Sequence, residues 1–359
     1  MNPQEVLCPN WDCASRGVVG QGNLRVHSYP QRRYRCTTCK KTFAATKGTP
    51  LYRLRRDEET VARVVTLLAF GCPPAAIVAA FGLDARTVAA WQKRAGAHCE
   101  QVHQERVLSV PQDLRYVQAD EVRVKLQRRL VLWMALAICV GTRLWLGGVV
   151  SRRRDRALIG ALAAKIKACA RFAPLLLVSD GFSAYVSAWE KAFRTPLRTG
   201  TGKRGRPALF AWPQVVIGQV LKVKEKGHVI GVLQSVVVGS LAQVLALLPS
   251  GQGLNTVYVE RLNGTFRARL AGLVRRSRSL LRQEETLHVG MYLVGTLYSF
   301  CTPHQGLQGQ TPAQAAGLTD HCWGVAELLG YRVTPPPWSS PKRRRRSRQA
   351  KQGSTLCTV

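Results

Sequence analysis

Carboxylates are scarce in this chain: 53 Lys and Arg stand against 20 Asp and Glu, a formal charge of +33. Between Gln101 and Thr302 only eleven acidic residues occur, so each needs a reason for its position. Asp120 interrupts an otherwise apolar alternating stretch. The apolar run from Pro174 to Val178 leads straight into Ser179-Asp180-Gly181, so Asp180 stands at the carboxyl end of a strand, where open α/β sheets put ligands. Glu260 opens a helical pattern in which Asn263 and Arg267 fall on its own face, one and two turns on. A protein this basic gains by gathering three anions only if a cation sits among them, and oxygen donors suit magnesium or manganese. Two such ions, about 4 Å apart, activate an attacking water or 3′-hydroxyl and stabilise the departing oxygen at phosphorus. Glu121 is the substitute for Asp120, although strand alternation turns it to the opposite face. Glu190, Glu284 and Glu285 read as surface helix charge. The chemistry needs no histidine base, and the seven histidines form no motif.

A second constellation is made of thiols. Cys8 and Cys13 form one close pair, Cys36 and Cys39 another, and this spacing fits a tetrahedral zinc site with each pair on a turn. A domain of residues 1–50 has little core, so a structural Zn²⁺ would supply much of its folding energy. The other seven of the eleven cysteines have no partner at ligand spacing and read as small buried hydrophobes or loop thiols.

Helices must follow. Asp57-Glu58-Glu59 opens one, with Val61, Val64, Val65 and Leu68 at helical spacing up to Gly71. Pro73-Pro74 starts a second, carrying Ile77, Val78 and Phe81 to Gly82. Asp84 caps a third, with Val88 and Trp91 inward and Arg86, Thr87, Gln92, Lys93 and Arg94 outward. Over residues 57–100 this is the layout of a helix-turn-helix whose last helix enters the major groove. Three packed helices with no ligand are the plain alternative.

Residues 112–302 read as strands from Tyr116 to Leu126, Leu130 to Val140 and Arg143 to Val150, a helix from Asp155 to Phe172, and a strand from Pro174 to Val178. That order predicts an α/β, ribonuclease-H-like mixed sheet, interrupted by an insertion near 195–250. Within the insertion, Arg204-Gly-Arg206 resembles the core of a minor-groove AT-hook, or is a plain basic loop. Gln214 to Val223 and His228 to Val238 form a hairpin, either the last core strand or an inserted platform. Arg269, Arg275, Arg276, Arg278 and Arg282 continue the helix of Glu260 as a phosphate-tracking stripe. A C-terminal extension covers 303–334, and 335–359 is a basic tail, including Lys342 to Arg346, with non-specific DNA affinity. The run from Leu130 to Val150 carries Gly141-Thr142-Arg143 at its middle, which suits a turn between strands better than a membrane span. The polar start lacks a signal-peptide pattern, so a cytoplasmic chain without membrane association is expected. The charge calls for a polyanionic partner, DNA above all.

Several segments together resemble the DDE transposases of bacterial insertion sequences, specifically the first-described family with its zinc-ribbon and helix-turn-helix amino terminus. They are Tyr34-Arg-Cys-Thr-Thr-Cys-Lys-Lys-Thr-Phe43, Gly82 to Val88, Gln118-Ala-Asp-Glu121, Val178-Ser-Asp-Gly-Phe-Ser-Ala-Tyr185, Asn255 to Arg267, Thr302-Pro-His-Gln-Gly-Leu307 and Thr311 to Gly317. The resemblance implies that Asp120, Asp180 and Glu260 are the three catalytic acids. It also implies that Arg267 contacts transposon-end DNA. The expected activity is binding of terminal inverted repeats, hydrolysis at the ends and transfer of 3′-ends to target DNA, by a homodimer or larger assembly. The chain departs from the family in being continuous, where relatives often split the two parts between reading frames, and in its basic tail. A DNA-binding regulator without cleavage, or another ribonuclease-H-like nuclease, are the alternatives.

Overall fold

The computed structural model describes residues 1–127, 130–197, 208–225, 228–249, 251–273, 281 and 283–335. Arg204, Arg206, Arg275, Arg276, Arg278, Arg282 and the tail beyond Pro335 lie outside them. The chain divides into two compact units, Met1–Ala45 with Thr334–Val359, and Thr46–Val333.

In the smaller unit, strands β1 (Leu24–Ser28), β2 (Arg33–Cys36) and β3 (Thr42–Ala44) form an antiparallel sheet in that order. Tyr34 pairs with Phe43 across it, their rings 5.9 Å apart. The core under it is small: Val6, Leu24, Tyr34, Phe43, Ala45 and the cysteines.

The larger unit opens with α1 (Glu58–Ala69), α2 (Pro74–Phe81) and α3 (Ala85–His103). Asp57 and Asp84 cap the first and third by accepting the Thr60 and Arg86 amides, as the sequence indicates. Gly82 ends α2 at φ +57, a left-handed turn that costs glycine least. The third helix runs past residue 100 because Cys99, Val102 and His103 are buried by the rest of the unit.

A six-stranded mixed sheet follows. Its strands are β4 (Tyr116–Lys125), β5 (Val131–Cys139), β6 (Trp145–Ser151), β7 (Leu175–Ser179), β10 (Val215–Glu225) and β11 (His228–Val238), ordered β11-β10-β7-β4-β5-β6. Between them come α4 (Arg156–Cys169), α5 (Ala184–Ala192) and a separate ribbon of β8 (Arg194–Leu197) and β9 (Ala208–Ala211). The apolar run expected to be two strands is β5 and β6, antiparallel around the turn at Gly141. Among the described residues no helix is long and apolar enough to cross a membrane. The hairpin of β10 and β11 extends the core sheet itself, since β10 lies parallel to β7.

The remaining helices are α6 (Leu241–Leu247), α7 (Val257–Arg269), α8 (Glu284–Phe300), α9 (Pro312–Ala315) and α10 (Val325–Gly330). The seventh stops at Arg269, because Leu270 takes extended backbone, so the expected arginine stripe does not continue along it. The last segment folds back onto the first helices: the His98 ring bonds the Leu328 carbonyl at 3.0 Å, and the Tyr331 hydroxyl donates to Glu105 at 2.8 Å. One apolar core runs from Val61 through the sheet to Leu329.

Two glycines allow the tightest approaches. A Cβ at Gly96 would stand 2.3 Å from the Val289 carbonyl oxygen, where α3 crosses α8. At Gly295 it would stand 2.2 Å from the Trp145 ring, itself fully buried beside His103, Phe266 and Tyr292. Neither neighbour can retreat in a close-packed interior. Gly295→Ala should therefore lower unfolding free energy by about 2–3 kcal/mol, read from denaturant curves. An unchanged midpoint would refute this packing.

Candidate functional site

The four thiols of the smaller unit converge. Their sulfur atoms all lie within 4.8 Å of one another, with Cys8 Sγ 3.8 Å from Cys39 Sγ and Cys13 Sγ 3.7 Å from Cys36 Sγ. Sulfurs about 2.3 Å from a tetrahedral zinc stand about 3.8 Å apart, so the spacing fits that ion and excludes a disulfide. Asn10 Nδ2 reaches Cys8 and Cys39 Sγ at 3.5 and 3.3 Å, and Asn23 Nδ2 reaches Cys36 Sγ at 3.7 Å. Such donors favour thiolates, although burial still raises Cys8 and Cys13 above the usual thiol range. Burial opposes ionisation of Cys36, yet the Cys39 and Thr38 amides and its thiol neighbours bring it down to about 7. The cluster could hold zinc.

In the larger unit, strand register builds the acidic site. β4 and β7 are parallel, with Tyr116 beside Leu176 and Gln118 beside Val178. Continued for two residues, that register sets Asp180, just past the end of β7, beside Asp120. On its other side β10 aligns Gln219 with Ser179. Asp120, Asp180 and Glu260 then line one cavity of about 620 Å³, together with Arg154, Phe182, Lys222 and Thr256.

The tightest carboxylate group is not the expected trio. Oxygens of Asp120, Glu121 and Asp180 lie within 4.8 Å of one another, a group that could hold a divalent cation. Glu260 stands beside it, held by Lys222 Nζ at 2.5 Å and by the Thr256 hydroxyl at 2.6 Å. Alternation does send Asp120 and Glu121 to opposite faces: Asn263 of α7 donates to Asp120 at 2.7 Å, and Tyr185 of α5 donates to Glu121 at 2.8 Å. Both still reach Asp180, because it sits at the strand end between the two faces.

Electrostatics follow from crowding. Burial raises Asp120 to about 7, and the nearby charges of Glu121, Asp180 and Glu260 add to it. Glu121 is raised by burial and Asp180, against the pull of Tyr185 and Arg154. Burial also works against ionised Glu260, but Lys222 and Thr256 prevail and lower it. Arg154 hydrogen-bonds Glu121 and reaches Asp180 at 3.3 Å, its guanidinium packed 4.2 Å over the Phe182 ring. It neutralises two acids at once.

Arg154, Lys222 and Gln118 are absent from the sequence-based site. Lys222 and Arg154 had only a basic background behind them, two among 53 Lys and Arg. Gln118 carried a signal, being an amide in an apolar strand. It is fully buried, and its Oε1 accepts the Tyr258 and Val259 amides at 3.0 Å each. Its Nε2 donates to the Asn255 carbonyl at 2.7 Å. Thr256, spent on Glu260, caps nothing, so Gln118 satisfies the open amino end of α7 and fixes the helix that carries Glu260.

The expected DNA-reading residues are mixed in their placement. Arg86 is exposed and Thr87 and Gln92 half-buried, at the start of α3. Lys93 pairs with Glu285, and half-buried Arg94 donates to the Tyr52 carbonyl, so it is not free to face a groove. Arg267 is exposed, two turns after Glu260. Of the remaining thiols Cys99, Cys139 and Cys169 are buried, whereas Cys322 is exposed.

Two measurements check these sites. The chain should bind a single zinc ion, and cobalt in its place should give tetrahedral thiolate absorption, lost in Cys36→Ser; an unaltered spectrum in that variant would overturn the assignment. For Asp120, the raised pKa means that between about pH 4 and about 7 the folded protein keeps a proton that the unfolded chain has lost. Cation-free stability contributed by this group therefore falls as pH rises through that window, by up to about 4 kcal/mol. In chelator, Asp120→Asn should melt several degrees higher than wild type at pH 8 and alike at pH 4; equal midpoints at both would refute it. Compared with known proteins, the chain matches no family model and no curated protein.

Proposed function

We propose that this protein is a DNA transposase of the DDE kind, cleaving phosphodiester bonds at element ends and transferring 3′-ends to a target. The observation that carries this reading is the convergence of Asp120, Asp180 and Glu260 on one cavity in a chain of charge +33. Asp120, Glu121, Asp180 and Glu260 are the oxygen donors for Mg²⁺ or Mn²⁺, and their mutual repulsion makes cation binding favourable. Bound divalent ions would activate the attacking oxygen and stabilise the leaving one. Around them the chain's own residues have distinct tasks. Asn263 orients Asp120, Gln118 seats the helix of Glu260, and Lys222 restrains Glu260. Exposed Arg267 and Arg86 at the start of α3 would meet a phosphate backbone in this reading. The sheet order and the α4 and α5 connections support a ribonuclease-H-like domain, and the thiol cluster with three strands supports a zinc ribbon.

One observation favours a second reading. Arg154 and Lys222 already compensate the acids, which would suit a DNA-binding derivative that no longer cuts. Strand cleavage decides between them. With Mg²⁺ and DNA bearing the matching inverted repeats, wild type should cut and join, and Asp180→Ala should lose at least about a thousandfold in rate while still binding. Wild type that binds without cutting would support the derivative; an active Asp180→Ala would sink the transposase reading.

A further inference from the structure

A second cavity, of about 440 Å³, lies on the other flank of α7, and its lining is basic where the first is acidic. Tyr258, Arg261, Thr265 and Arg269 recur every three or four residues, so they form one stripe. That stripe faces away from Glu260 and Asn263 on the same helix. Arg143 from the turn between β5 and β6, Tyr298 of α8 and His304 close the cavity.

No carboxylate lines this cavity. Among the described residues, Arg143, Arg261 and Arg269 take part in none of the ion pairs. The His304 Nε2 is buried with no hydrogen-bond partner. Burial first, and then Arg269, Arg261 and Arg143, disfavour a charge on that ring, although the Tyr298 backbone favours it. Cations are thus held together without an anion, and the fold maintains the arrangement at a cost. Arg143 has φ +58, a left-handed conformation expensive for any residue but glycine or asparagine. Its guanidinium lies 3.8 Å over the Tyr258 ring and donates one bond through Nη1 to the Val140 carbonyl of the same turn, so only its other N–H groups are offered to an anion. Arg269 lies 4.3 Å over the Phe70 ring and donates to Thr302 Oγ1 at 3.4 Å. Planar guanidinium forks fixed on aromatic faces suit tetrahedral oxyanions.

We propose that this pocket binds a phosphate group of a nucleic-acid strand, with Arg143, Arg261 and Arg269 as its donors and His304 Nε2 as a further donor once the anion is present. The proposal shares a partner with the transposase reading but uses none of its acids or metal ions. Its test is therefore made in chelator, where strand cleavage plays no part. The motif Thr302-Pro-His304, which the acidic site leaves unexplained, here gains a role.

The imidazole proton signals of the full chain are followed by NMR against pH, with and without inorganic phosphate. Phosphate should raise the His304 midpoint by about half a pH unit or more in wild type and in Arg171→Gln, an exposed control that removes one charge elsewhere. Arg261→Gln should abolish the rise; its exposed helical position makes it safe for folding, which the other histidine signals verify. Single-stranded oligonucleotides with and without a 5′-phosphate then separate the sources. Arg261→Gln should weaken binding about tenfold relative to Arg171→Gln. A loss confined to the phosphorylated strand identifies a strand end, and an equal loss on both identifies an internal phosphodiester. A His304 midpoint indifferent to phosphate, or Arg261→Gln behaving like Arg171→Gln, would overturn the proposal.

Discussion

The parallel pairing of β4 with β7 is the constraint on which the rest of the larger unit turns. It brings Asp180 alongside Asp120 and Glu121 at a strand end, where no further strand separates them. Three carboxylate groups whose oxygens lie within 4.8 Å are mutually repulsive, and burial removes the water that would screen them. The surroundings answer that repulsion in three ways. Asp120 tends to hold its proton, Arg154 spans Glu121 and Asp180, and Lys222 draws Glu260 aside. The close group of Asp120, Glu121 and Asp180 could hold a divalent cation, which would answer the same repulsion.

The helix α7 translates this constraint to the rest of the molecule. Gln118 on β4 accepts its second and third amides, Asn263 ties its middle to Asp120, and its buried side, with Val259, Leu262 and Phe266, seats it on the core. Acidic cavity and basic cavity occupy its two flanks. A single helix thereby separates the groups that would attract metal ions from those that would attract phosphate.

Opposite charge placement of this kind also explains where the +33 charge does not act. Many cations are engaged internally: Arg94 with a carbonyl, Lys93 with Glu285, Lys165 with the Tyr292 hydroxyl at 2.8 Å. Sequence alone presents them as an undifferentiated basic surface. The structure distinguishes cations that pack or pair from exposed ones such as Arg261 and Arg267.

The amino-acid order by itself indicated the helices with side-chain caps, the succession of strands and helices along the chain, the thiol set, and the acids Asp120, Asp180 and Glu260 that line one cavity. Those are local matters: an aspartate capping an amide, a period of two or of 3.6, and residues too rare to be incidental. The thiol pairs were legible because each close pair sits on its own turn, and two short spacings specify a tetrahedral set. Tertiary structure alone decided that Glu121 joins Asp120 and Asp180, since alternation describes a strand's faces and not its end. It alone brought Arg154 and Lys222 to the acids across 26 and 38 residues of chain. It also laid the segment around Leu328 against His98 and built the basic pocket from residues 143, 261, 269 and 304. Such contacts depend on how elements stack, and stacking is set by the shape of the shared core, which no local pattern records.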